Sequence, residues 1–182
     1  MRQVKIPYEN LEQEIINELK KLGSEGLYKR GILATSSNDF VTARRMRFIP
    51  EGLKLYCWTA QLSRKHKQIM ANPNVAVVAG FIQIEGTASV KGHPLDEPEF
   101  LTHYKKQLPE EYENSIKDWY DFDQLLIEVE PKRMAVYKFP DKETGMTEYG
   151  LDILNISKGT AHRMLGIKHE YEDYRDAPAY IE

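Results

Sequence analysis

The stretch that decides the fold runs from Leu55 to Pro73, LYCWTAQLSRKHKQIMANP. Leu55–Trp58 is apolar and aromatic-rich, which predicts a strand running into Thr59. Ser63, Arg64 and Lys65 follow in a short loop. A helix is expected over about His66 to Ala71, ending at Asn72-Pro73, because the residue before a proline disfavours helix. Hydroxyls and cations therefore gather at a strand end and a helix start. Free N–H groups and the positive end of the helix macrodipole lie at the same place. That combination suits an anion, and a phosphate above all.

Upstream, Phe40–Ile49 (FVTARRMRFI) reads as a strand carrying Arg44, Arg45 and Arg47. Alternation places Arg45 and Arg47 on one face and Arg44 with Met46 on the other. Two readings are open: an edge strand guarded by charge, or arginines that reach a phosphate or a planar acceptor edge. Arg64 and Lys65 also admit two readings. They are a solvated first turn, or cations kept at a helix N-terminus because an anion offsets them.

Around this centre, Asn10 with Gln13 reads as a capping box opening a helix, with Leu11, Ile15, Ile16, Leu19 and Leu22 as its buried stripe and Gly23 as its stop. Gly31–Ser36 is a buried strand and Ser37-Asn38-Asp39 a turn. After the Pro50-Glu51-Gly52 turn comes Leu53–Thr59. Asn74–Gly80 is nearly continuous apolar sequence, expected to be buried on both faces. Phe81–Lys91 alternates, with Gly86 as a bulge or bend. Pro98–Gln107 and Glu110–Tyr120 are predicted helices, and Gln124–Phe139 a last strand or strand pair around Pro131. Beyond Asp141 the periodicity is weak. A short helix is expected near Thr160–Leu165, and Tyr171–Glu182 is expected to be extended, poorly ordered or docked on a partner. The short hairpin turns suggest a small antiparallel barrel rather than a βαβ sheet.

Composition narrows the function. The chain has 182 residues, 41% hydrophobic and 29% charged, with a formal net charge of −3. A mildly acidic chain is a poor general binder of nucleic acid, which demands a broad basic face. Cys57 is the single cysteine, which excludes an intramolecular disulfide and favours a reducing, cytoplasmic setting. The sequence has no apolar run of about 18 residues to span a bilayer. The five histidines show no metal-ligand spacing, and no nucleophile elbow, Walker loop or GxGxxG is present. Cys57 reads as a small core residue. Trp58 and Trp119 suit core packing or stacking on an aromatic cofactor.

Taken in order, GILATSS (31–37), VTARRMRF (41–48), LKLYCWT (53–59), SRKHKQIMANPNVAVV (63–78) and IEGTASV (84–90) resemble the pyridoxamine 5′-phosphate oxidase-like, FMN-binding split-barrel family. The likeness covers Gly31 to Lys91 well and Gln124–Phe139 loosely. Its most specific piece is Trp58-Thr59, then Ser63-Arg64-Lys65, Gln68-Ile69 and Asn72-Pro73. The resemblance implies a mainly β fold with flanking helices (α+β), an antiparallel six-stranded split β-barrel of Greek-key type. It implies that Thr59, Ser63, Arg64 and Lys65 hold an FMN phosphate. Arg44, Arg45, Met46 and Arg47 would contact the ring or ribityl chain, in a register open by one residue, and Trp58 joins this cofactor-binding set. It further implies a homodimer with two flavin sites in the clefts between subunits. Residues 1–140 would form the FMN-binding domain, and 141–182 an extension packed on the barrel or the partner subunit. No arginine-and-histidine pattern after Asp141 matches that of true pyridoxamine-phosphate oxidases, so vitamin B6 is not carried over as substrate. The expected function is an FMN-dependent oxidoreductase acting on a small-molecule redox substrate, with no catalytic side chain assigned and no nucleic-acid or membrane partner. A deazaflavin- or haem-binding relative, and a non-catalytic flavin-binding protein, are the alternatives.

Overall fold

The computed structural model describes residues 2–22, 30–121, 123–142 and 146–166. Gly23 and Tyr171–Glu182, for which expectations were stated, lie outside the described residues. The chain forms β1 (Arg2–Lys5), α1 (Tyr8–Leu19), β2 (Gly31–Ser37), β3 (Phe40–Met46), β4 (Ile49–Glu51), β5 (Lys54–Ala60), α2 (Arg64–Ala71), β6 (Asn74–Ala79) and β7 (Ile82–Gly92). It continues through α3 (Pro98–Gln107), α4 (Pro109–Asp121), β8 (Gln124–Lys138), β9 (Gly150–Asn155) and β10 (Thr160–Leu165).

All pairings are antiparallel, in the order β1-β10-β9-β8-β7-β6-β2-β3, with β5 joined to β8 and β4 to β5. The mainly antiparallel, α+β character is thus as expected. The six-strand count is corrected: the connected sheet has ten strands and is not closed. Three of the additional strands come from weakly patterned sequence. β1 has four exposed residues and pairs with β10, β10 replaces the short helix expected near Thr160–Leu165, and β9 forms where no element was expected. Cross-strand pairing overrode local propensity there. The fourth, β4, is cut from the expected strand 40–49, which breaks after Met46; Ile49–Glu51 then turns back on Lys54–Tyr56.

β8 is the long axis of the sheet. Its first half pairs with β5 and its second half with β9, while β7 runs along its other edge. Pro131 does not divide it. The strand bulges opposite Gly86, where a Cβ would lie 2.3 Å from the Glu130 carbonyl oxygen, so only glycine fits. The β2–β3 hairpin turns on Asn38 and Asp39, both at positive φ, which suits a two-residue turn with left-handed central residues.

α1 starts at Tyr8 behind Pro7, two residues before the expected Asn10 cap, because Pro7 already supplies an extended residue at the helix entrance. Its Leu11, Ile15 and Leu19 are buried, each contributing roughly 1.5–3 kcal/mol of apolar burial. They join the main core with Leu33, Val77 and Ile127. A second core, built from Tyr56, Phe100, Tyr104, Trp119 and Leu126, lies between the sheet and α3–α4. β6 departs from its expected double burial: Val75 and Val77 are buried, while Val78 is 44% exposed. Among the described residues, no helix is long and apolar enough to cross a membrane.

Candidate anion site at the start of the second helix

β5 has two faces with different tasks. Leu55 and Cys57 enter the main core, and Thr59 lies on the same side, whereas Tyr56 and Trp58 point to the second core. Trp58 is half-buried and packs on Tyr104 and, edge-on, on Trp119. The cradle therefore forms beside Thr59, and Trp58 sits across the strand from it.

The turn after β5 is fixed by Ser63 N–H donating to Ala60 O at 3.0 Å and Gln61 N–H donating to Asp123 O at 3.2 Å. Ser63 then caps α2, accepting from His66 N–H at 3.3 Å. The Lys65 ammonium, which can only donate, bonds Thr59 Oγ1 at 2.7 Å. Thr59 is 3% exposed, so its own hydrogen needs an acceptor, and Ser63 Oγ stands 2.8 Å away. Ser63 Oγ thereby accepts twice, and its hydrogen is left to donate outward. The backbone N–H groups of Arg64 and Lys65, in the first turn of α2, have no helical acceptor.

The third cation comes from β3. Arg44 faces inward, opposite Leu33 of β2, and its Nη1 donates to Leu33 O at 3.1 Å and Thr35 Oγ1 at 2.7 Å. Its Nη2 donates to Thr42 Oγ1 and, at 3.4 Å, to Gln68 Oε1. Burial and then the charge of Arg64 push the Arg44 guanidinium below its ordinary pKa. Burial and then the charge of Arg44 do the same to Lys65. Among the described residues, none of Arg44, Arg64 and Lys65 is in an ion pair. Three cations and two oriented hydroxyls thus share one corner, with no carboxylate among the described residues to balance them. The arrangement can take a multiply charged anion through charge-assisted hydrogen bonds.

Of the other expected residues, Arg45 is exposed on the opposite sheet face, beside Ile32. Met46 packs against the main core, and Arg47 follows the end of β3, half-buried. Cys57 lies behind the cradle with no exposed surface; burial pushes its thiol up to about 12, although Lys65 and Arg44 pull the other way. It stays a neutral thiol. Among the described residues, no group of His, Cys, Asp and Glu could hold a metal ion.

Sequence reasoning assigned no role to the polar set beneath Arg44. Gln68 is 3% exposed, its Oε1 accepts from Thr35 and Thr42 hydroxyls at 2.7 Å each, and its Nε2 donates to Phe40 O at 3.1 Å. The signal was a glutamine beside Ile69 on the inward side of a short helix. Nearby, Asn72 Nδ2 donates to Ser36 Oγ at 3.0 Å, so the second half of α2 and its C-cap are tied to the β2–β3 hairpin.

No family model matches the chain, and no curated protein matches it. Solved structures do. A protein assigned as a pyridoxamine 5′-phosphate oxidase from Listeria innocua is 25% identical, over 68% of this chain and 95% of its own, with a TM-score of 0.51. General stress protein 26 from Bacillus anthracis is 27% identical over 69% of this chain and 92% of its own, with a TM-score of 0.52. PhzG from Burkholderia lata, solved with tetrahydrophenazine-1-carboxylic acid, covers 90% of this chain and 93% of its own at a TM-score of 0.53. At 11% identity it shares the fold alone. The chain's structural neighbours thus include pyridoxamine 5′-phosphate oxidase-like and general stress protein 26 proteins, whose fold it shares.

Proposed function

We propose that the protein is an FMN-dependent oxidoreductase, with the flavin phosphate seated on Thr59, Ser63, Arg64 and Lys65. The observation that carries this reading is the cation corner, uncompensated among the described residues: a half-buried arginine, a half-buried lysine and an exposed arginine, with the Ser63 hydroxyl left free to donate. A phosphate monoester supplies the missing negative charge and accepts from the Ser63 hydroxyl and the first N–H groups of α2. Bound FMN would supply the redox chemistry. The chain's own residues anchor it, orient it and limit water around it.

Arg44, Arg45, Met46 and Arg47, in and just after β3, are the candidates to contact the flavin ring or ribityl chain. The outward face of β2, β3 and β6 carries an apolar patch, with Ile32 42%, Val41 65% and Val78 44% exposed and Ala34, Ala43 and Ala76 between them, bordered by Arg45, Ser36 and Asn74. This face suits a second copy of the chain, and supports a homodimer with a flavin at each cleft. Turnover would use a small-molecule redox substrate.

The visible absorption spectrum of protein purified without added cofactor, and again after addition of FMN, tests the reading. Bound flavin bands, followed by consumption of NADH or NADPH with an added acceptor, support the enzyme. Bound flavin without turnover by either donor leaves a flavin-binding protein. A protein that stays colourless and does not take up FMN contradicts the assignment.

A further inference from the structure

Gln68 occupies the position where an acid would be expected. Its Oε1 is surrounded by three donors: the hydroxyls of Thr35 and Thr42 and the guanidinium of Arg44. Such a donor set suits a carboxylate. Glutamate has nearly the same shape, and beside Arg44 it would form a shielded ion pair. Only the Nε2–H donated to Phe40 O distinguishes the amide from the acid here. Both terminal nitrogens of Arg44 are held by Leu33 O, Thr35, Thr42 and Gln68, so the guanidinium is a fixed charge rather than a mobile one.

We infer that the neutral amide of Gln68 is a positioning and specificity residue: it fixes Arg44 without neutralising it, so the counter-charge is left to the ligand's phosphate. The inference rests on the FMN reading and adds what makes the corner select a phosphorylated flavin over an unphosphorylated one. Arg44 acts mainly through its field, since its Nη hydrogens are already engaged. Near a protein surface, with an effective dielectric of about 20, one unit charge a few ångströms away is worth roughly tenfold or more in affinity for an anion. Gln68 leaves that factor available; a carboxylate would cancel it.

The test compares FMN and riboflavin affinities by calorimetry, at two salt concentrations, in the parent, Gln68→Glu and Arg44→Met. The expected result for Gln68→Glu is FMN affinity lower by roughly tenfold or more, riboflavin affinity unchanged, and a shallower salt dependence. Its urea midpoint should fall modestly, because the arginine partner gained is offset by the lost bond to Phe40 O, which a carboxylate oxygen would face unpaired. Arg44→Met should show the same loss of FMN-over-riboflavin preference. If the amide is merely structural, Gln68→Glu lowers stability and leaves the FMN-to-riboflavin ratio where it was; that result overturns the inference while the FMN reading stands. Should Gln68→Glu fail to fold, Arg44→Met decides, and an unmoved ratio there overturns it equally. A parent that binds neither flavin removes the FMN reading and this inference together.

Discussion

Two charge clusters in this molecule look alike and are built oppositely. At the far side of the sheet, Asp152 has no exposed surface and takes a two-pronged contact from Arg163, at 2.5 and 2.7 Å. Lys138 stands 3.9 Å from the same carboxylate and pairs with Glu14. At the start of α2, Arg44 and Lys65 bond hydroxyls, an amide and a carbonyl, Arg64 lies over the Phe40 ring at 5.8 Å, and among the described residues no carboxylate pairs with any of the three. The first cluster closes its own charge and joins β8, β9, β10 and α1. The second keeps an excess of positive charge, and burial, then the neighbouring cation, lowers the pKa of Arg44 and Lys65. Structure explains the first completely. The second is the one that the proposed phosphate would balance.

The comparison can be broken first at the closed cluster. Arg163→Ala leaves Asp152 buried with only Lys138 beside it and should cost about 3 kcal/mol or more of stability. FMN affinity of the folded fraction should not change. A urea-unfolding series with FMN titration reads both. A loss of affinity at unchanged stability would mean that the two clusters are not independent.

Ser63→Ala should act on both counts and more weakly. Losing the cap of α2 costs about 1 kcal/mol, and losing the outward hydroxyl weakens FMN by up to about tenfold. Thermal unfolding and calorimetry separate the two. An unchanged FMN affinity would remove Ser63 from the ligand contacts.

The smallest expected effect is a pH dependence. In the fold, Lys65 titrates below its ordinary value of 10.5, through burial first and Arg44 second. Between that lowered value and 10.5 the unfolded chain binds the extra proton, so apo stability from this group rises with pH in that window. Below the window its full destabilising contribution is present. FMN affinity should move the other way, falling as Lys65 loses its proton. Subtracting Lys65→Met from the parent isolates the group, since Lys138 is also lowered. A pH-independent FMN affinity across the alkaline window would place Lys65 away from the phosphate.

Much of this contrast was legible in the sequence. A strand end, two hydroxyls and two cations before a short helix are local, and Leu55–Pro73 carries them all. The core strands read well because their apolar patterns are strong. The closed cluster was invisible, because Lys138, Asp152 and Arg163 meet only through the β8–β9–β10 pairings, in sequence whose periodicity is weak. β1 illustrates the same limit: four exposed residues become a strand only because β10 is there to pair. The inward direction of Arg44, set against outward Arg45, follows from its register with Leu33. The sequence had split the arginines by alternation without saying which face was which. Gln68 needed three separate elements in place before its role could be seen.

The central claim is that the excess charge at the start of α2 is a phosphate site. FMN titration of the parent and of Arg64→Ala combined with Lys65→Ala tests it most directly, with urea unfolding alongside. Two lost charge-assisted contacts should weaken FMN by about 100-fold or more. Apo stability should be held or slightly raised as the cation repulsion is relieved. A double variant that binds FMN as tightly as the parent, at equal stability, would contradict the account.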